Sequence, residues 1–230
     1  MSGDAGNRPG KWGRAGGVLA LGLVLRLPGL NQSLWYDEIM AVVMFFSADW
    51  KQLLTEMPVP NHQPLYSLLG KTCLLALGPE EWKLRLPALV FGALTPPAIY
   101  LFGRRWLGER TGLVAGLLMA VGMWPAWFSQ DARGYSAMVL FSILAVDLFL
   151  RTLDRPGPRP AALTAVNGAL AMYSHMYSGA VTGTLAAAGL IIFARRRDRD
   201  SAWVAASGLG GLVLAAILFL PLLGDFYAFT

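Results

Sequence analysis

Charge is scarce in this chain. Asp, Glu, Lys and Arg make up 14% of its 230 residues and hydrophobic residues 55%, whereas an ordinary soluble domain carries about 25% charge. Much of the surface must therefore face something other than water. Cysteine is almost lacking. Cys73 stands alone, which excludes an internal disulfide and any cysteine-rich metal centre and leaves a packed apolar thiol. Repeats, low-complexity tracts and a soluble domain are missing as well, and Arg151–Pro160, with its three prolines, is the one clear linker. The net charge of +5 does not point to nucleic acid. Its basic residues sit in short clusters between apolar stretches, the pattern of loops held at a lipid surface.

What remains is apolar length. A helix crossing a bilayer needs about 20 residues. Gly13–Leu30, Arg85–Phe102, Thr111–Phe128, Tyr135–Leu150, Ser178–Ala194 and Ser201–Leu223 approach or meet that length, and Ala161–Tyr173 reaches it by starting within the Arg-Pro linker. The expected fold is all-α: a polytopic integral membrane protein of about seven transmembrane helices, one module over residues 1–230. The first stretch follows Arg8, Lys11 and Arg14 but lacks a small-residue cleavage site, so it is expected to be an uncleaved anchor.

Residues 31–84 form the first extracytoplasmic loop of this scheme. Within it, His62–Gly78 carries Gln63, Ser67 and Lys71 at a spacing of four, a polar stripe on one helical face. That pattern predicts interfacial helices lying along the membrane rather than crossing it. Loop charges give an independent test. With this segment flat, 13 of the 19 basic residues (Arg8, Lys11, Arg14; Arg104, Arg105, Arg110; Arg151, Arg155, Arg159; Arg195, Arg196, Arg197, Arg199) fall on one side, which the positive-inside rule makes cytoplasmic. The N-terminus is then cytoplasmic. Asp37, Glu38, His62, Asp131, Arg133 and His175 gather on the outer side. Charges at membrane depth mark sites, although each has a plainer use alone: Asp37 could cap a helix Glu38–Ala48, and Asp131 could pair with Arg133 in a turn.

Five motifs in order, "LWYDEI", "NHQPLYSLL", "RLPALVFGALTPPAIYLFGRRWLGERTGLVAGLLMA", "FSQDARGYSAMVL" and "YSHMYSG", resemble the N-terminal module of the GT-C membrane glycosyltransferases. The likeness is to the protein O-mannosyltransferase group, glycosyltransferase family 39, which also includes bacterial aminoarabinose transferases. It covers roughly residues 15 to 195. The resemblance implies an enzyme of a bacterial or archaeal cell membrane that moves a sugar from a polyprenyl-phosphate carrier to a hydroxyl or phosphate acceptor on protein, lipid or cell-envelope glycan, outside the cytoplasm. It also implies that the acidic pair of the first outer loop supplies the catalytic carboxylate, Asp37 with Glu38 beside it. Gln63 stands where the family repeats proline. Family members carry further spans, so the module is expected to be incomplete after Thr230: a truncated product, a split subunit completed by a second chain, or a degenerate and inactive copy.

The residues themselves suggest the same chemistry. Displacing phosphate from an anomeric carbon needs a base, which Asp37 could be from a partly dry pocket. It also needs positive charge on the leaving phosphate: Arg133 first, since guanidinium grips phosphate bidentately, with Lys71 or Arg85 assisting and Tyr135, His62 and His175 lining the substrate. A divalent cation, Mg or Mn, on Asp37 and Asp131 with His62 or His175 is an alternative source of that charge. Two rival functions stand beside this one: a non-catalytic protein that binds or moves a lipid-linked sugar, and a structural partner in which the charges only cap helices. Elsewhere, Gly112 with Gly116 and Gly179 with Gly183 are spaced for close helix approach, Asp147 for pairing with Arg151, and Arg26 either for snorkelling or for a lipid phosphate.

Overall fold

The computed structural model describes residues 10–57 and 62–222, and among these every regular element is helical. Arg8 and Leu223, named above, lie outside the described residues. The chain opens with α1 (Lys11–Val24), then makes an excursion of short helices: α2 (Tyr36–Ala41), which continues into a π turn over Val42–Phe46, α3 (Trp50–Thr55), α4 (Pro64–Leu77) and α5 (Glu81–Leu84). Longer helices follow: α6 (Leu86–Leu107), α7 (Glu109–Val121), α8 (Met123–Phe128), α9 (Tyr135–Asp154), α10 (Pro158–Ser174), α11 (Gly179–Arg196) and α12 (Arg199–Phe219). Local chemistry sets several of these starts. Asp49 and Gln52 cap α3 reciprocally, Asp198 accepts from the Ser201 amide at the start of α12, and proline occupies the first turn of α4, α6 and α10, where a missing amide hydrogen costs nothing.

Four stretches are long and apolar enough to cross a membrane: Leu86–Leu107, Tyr135–Asp154, Met176–Arg196 and Arg199–Leu222. The other three expected spans are shorter helices. α10 does begin inside the Arg-Pro linker, at Pro158, and has 17 residues. α1 has 14 and α7 has 13. α7 stops because Gly122 is extended and Pro125 follows, so the apolar stretch Thr111–Phe128 is split between α7 and α8.

Polar contacts define two ends of the bundle. At one, Glu109 at the start of α7 accepts from Arg14 of α1 (2.6 Å) and from Tyr100 (2.7 Å) and Arg104 of α6. Beside it, Asp147 of α9 accepts from Trp106 (2.8 Å) and pairs with Arg151 as expected. At the opposite end, buried Arg26 donates to the Met119 and Ala120 carbonyls that finish α7 and to Ser129 after α8. Arg26 thus neither snorkels nor meets a lipid phosphate; backbone carbonyls take up its guanidinium. The excursion also returns to this second end, because Glu38 at its start bonds Arg85 at its close (2.8 Å). Consecutive long helices therefore run alternately up and down.

Small residues set the closest approaches. A Cβ on Gly112 would lie 2.3 Å from the Arg104 amide nitrogen and one on Gly116 2.8 Å from the Tyr100 Cβ, so this pair presses α7 onto α6. The expected pair Gly179 and Gly183 does no such thing: Gly183 faces open space. The α11–α12 contact is made instead by Gly189 of α11 against Val204 and by Gly208 of α12 against Ala186. On helix α4 the surroundings of the polar stripe are visible in the structure. Its polar stripe turns inward: Gln63, Ser67 and Lys71 are buried while Leu75 and Leu77 are exposed. Gly70 on the same face leaves room for the Phe46 ring.

Candidate active site

The adjacent acids Asp37 and Glu38 sit in the first turn of α2. Neighbours on a helix point about 100° apart, so one can face the interior while the other faces out. Glu38 faces in. Its side chain is 0% exposed against 63% for Asp37. Burying a carboxylate requires full pairing, and Glu38 has it. Arg85 grips it bidentately (2.8 and 2.6 Å), and the Trp35 and Ala132 amides donate to it (2.9 and 2.7 Å). Arg85 spends its remaining donors on the Leu30, Gln32 and Ser33 carbonyls (2.8, 2.6 and 3.2 Å). This ion pair ties α2, the turn before α9 and the head of α6 together.

Arg133, in that same turn, is the counterexample. Its side chain is 8% exposed, yet its partners are the Asp37 carbonyl at 3.4 Å and the Asp37 carboxylate at 3.8 Å. Its Nε and Nη2 are buried without a partner, and so are both His62 ring nitrogens, the Gln63 amide nitrogen and Asp131 Oδ1. Buried polar atoms are normally satisfied. Arg133 nonetheless keeps two N–H donors without an acceptor in the protein interior. A cavity of about 10 Å³ lined by Gln63, Tyr66, Ala132 and Arg133 is close to the space of one water.

The surroundings are held by two devices. Gln63 accepts from the Gly134 amide (2.5 Å), joining α4 to the turn. A Cβ on Gly134 would stand 2.3 Å from the Ser174 carbonyl oxygen, so only glycine lets the end of α10 lie here. That approach delivers His175, whose ring stacks on Tyr135 (5.0 Å between centroids) and lies 4.5 Å from the Tyr177 ring, while the Arg133 guanidinium lies 5.8 Å from the Tyr135 ring. His62 stacks flat on Phe45 at 4.1 Å. Trp35 and Trp127 pair at 5.3 Å, and these, with Tyr36 and Tyr177, are exposed aromatics at this end.

The dry pocket expected for Asp37 belongs to Asp131. Burial first, then the Glu38 carboxylate, push the Asp131 carboxyl up to about 7 against the pull of Arg133 and Arg85. Burial holds the His62 imidazole down at about 4, and burial with repulsion from Arg133 lowers His175. Asp131 forms no salt bridge with Arg133; Asp37 does so instead. Lys71 donates to the Phe46 and Ala48 carbonyls, closing the π turn, and sits 5.1 Å from the Trp50 ring centroid. Among the described residues no three of His, Cys, Asp and Glu gather around a common point, so Asp37 and Asp131 do not form a three-ligand metal cage. Gln63, Gly134 and Tyr177 joined the site unanticipated, though all three lie inside or beside the motifs that contain its charged members.

A family model described as dolichyl-phosphate-mannose-protein mannosyltransferase matches residues 61–224. That stretch includes His62, Arg85, Asp131, Arg133 and His175 and begins after the acidic pair. No curated protein matches the chain.

Proposed function

The chain belongs to the dolichyl-phosphate-mannose-protein mannosyltransferase family, membrane glycosyltransferases of the GT-C type, and on that premise we propose that it transfers a sugar from a polyprenyl-phosphate carrier to a hydroxyl or phosphate acceptor outside the cytoplasm. In this reading α1, α7 with α8, and α10 cross the membrane together with the four longer helices. The end built around Glu109 and Asp147 is cytoplasmic, because the basic clusters lie there. The end holding Arg133 is the outer one.

The single observation that carries the proposal is Arg133: a buried guanidinium with two free N–H donors, 3.8 Å from an exposed carboxylate. The carrier phosphate meets those donors by widening the water-sized cavity beside Arg133, since planar N–H pairs match phosphate oxygens. Asp131, with its carboxyl raised to about 7, is about half protonated at neutral pH and increasingly so below it, which lessens its offset of the arginine charge. Asp37 takes the proton of an acceptor hydroxyl as that oxygen attacks the anomeric carbon. The bond from anomeric carbon to phosphate oxygen breaks, and its electron pair leaves on the carrier phosphate held by Arg133. Glu38 holds Arg85 and the loop in place and does not itself exchange protons with the acceptor. Tyr135 and His175 form the wall beside the phosphate.

The test uses membranes containing the full protein and a labelled polyprenyl-phosphate sugar. Asp37→Asn abolishes transfer and leaves carrier binding intact. Should it transfer normally, Asp37 is not the base; should the wild type bind carrier but never transfer, the protein is a binder of lipid-linked sugar rather than an enzyme.

A further inference from the structure

A second built region lies at the opposite end of the bundle from Arg133. Between α1, α6 and α9 runs an apolar groove of about 520 Å³, walled by Ala15, Leu19, Pro97 and Ile143 among others. Trp12, Leu101 and Arg151 belong both to this groove and to a wider cavity of about 640 Å³ at its mouth, which Lys11, Arg104, Arg105 and Glu109 complete. Both volumes are on the scale of ligand sites, roughly 300 to 1,000 Å³. The cations at the mouth are not equally occupied. Arg104 is consumed by Glu109, which Arg14 also holds. Arg105 and Arg151 share Asp147, Arg105 only at 3.8 Å, and Arg151 Nε is buried without a partner. Lys11 stands over the exposed Trp12 ring at 5.1 Å. Two arginines thus share one carboxylate, and Lys11 has no carboxylate partner among the described residues, at the open end of a hydrocarbon slot.

We propose that this groove binds one anionic phospholipid, its acyl chain along the α1–α6–α9 wall and its phosphate at Lys11, Arg105 and Arg151. The inference rests on the membrane placement proposed above, which sets this end in the cytoplasmic leaflet, where anionic lipids meet basic pockets between helices. The surplus positive charge selects an anionic headgroup, because a zwitterionic one would bring an ammonium group into the cluster. Gly16 lines the groove, and a Cβ there meets nothing within 4 Å, so a larger side chain at this position has room to extend into the slot.

The experiment is native mass spectrometry of the full protein released from detergent with phosphatidylglycerol and phosphatidylcholine at equal concentration. One phosphatidylglycerol is retained in preference. Lys11→Gln with Arg105→Gln lowers its retention roughly tenfold or more, from the loss of two headgroup cations. Gly16→Phe, which fills the slot without touching the cations, lowers retention of both lipids. Equal retention of the two lipids, unchanged retention in both variants, displacement by inorganic phosphate or by polyprenyl phosphate, or a second copy of the chain in place of lipid would each overturn the assignment. Sugar transfer and carrier binding at Arg133 persist in these variants, so failure here is distinct from failure of the proposed function.

Discussion

Arg85 and Arg133 lie at the same end of the bundle, both more than nine-tenths buried, and they end in opposite states. Arg85 has a bidentate carboxylate and three good carbonyl acceptors; Arg133 has one distant carboxylate, one long carbonyl contact and two donors with nothing. A buried charge is tolerated either because the protein satisfies it or because a ligand will. The first kind holds a fold together. The second marks a site.

The contrast predicts different failures. The largest effect is on stability at Arg85. Arg85→Met strands the Glu38 carboxylate and should cost about 3–5 kcal/mol, whereas the double variant with Glu38→Leu should regain much of it, read from unfolding in mixed micelles. Arg133→Gln should cost little stability, since its bonds are few. It should weaken polyprenyl-phosphate binding about ten- to a hundredfold, the value of one charge-assisted hydrogen bond of about 1.5–3 kcal/mol. If Arg133→Gln instead destabilised the fold as strongly as Arg85→Met, the two arginines would be equivalent and the site reading would fail.

The net pH dependence of the unaltered protein is the smallest effect, because two buried groups oppose each other. Asp131 titrates near 7 in the fold and near 4 unfolded, so the stability it contributes at low pH is lost as pH rises through that window, at a slope approaching about 1.4 kcal/mol per unit. His62 behaves oppositely: its imidazole falls from about 6.5 to about 4, and the stability it lends above pH 6.5 is lost as pH falls toward 4. The two nearly cancel in between. Asp131→Asn should expose the histidine trend, so that melting temperature drops on acidification, and His62→Leu should expose the reverse. A variant pair with identical pH profiles would show that neither group is buried as described.

Much of the scheme was legible in the chain. The apolar stretches and the arginines that bound them predicted helices that the structure has, and the Asp147–Arg151 spacing predicted a pair that forms. The linker expected over Arg151–Pro160 shrinks to residues 155–157, because α9 runs on to Asp154 and α10 starts at Pro158. Span length was less legible, because a helix end depends on single residues such as Gly122 and Pro125 inside an otherwise apolar run. Glycine spacing misled at Gly179 and Gly183, since a small residue shows that approach is possible and not which face meets a neighbour. The stripe on α4 had the right period but the wrong surroundings: periodicity reports that a face is polar, and buried carbonyls can receive it as readily as water can.

Residue types and their order along the chain determined that this protein is helical, apolar and charged at its ends, and that its acids, arginines and histidines fall into a few short motifs. Only the tertiary structure decided which member of each charged set is occupied. Satisfaction of a buried charge depends on carbonyls and amides brought from distant turns, such as Leu30, Gln32 and Ser33 around Arg85 or Ala132 at Glu38. Backbone groups are the same at every position in a sequence, and so their arrangement cannot be read from it.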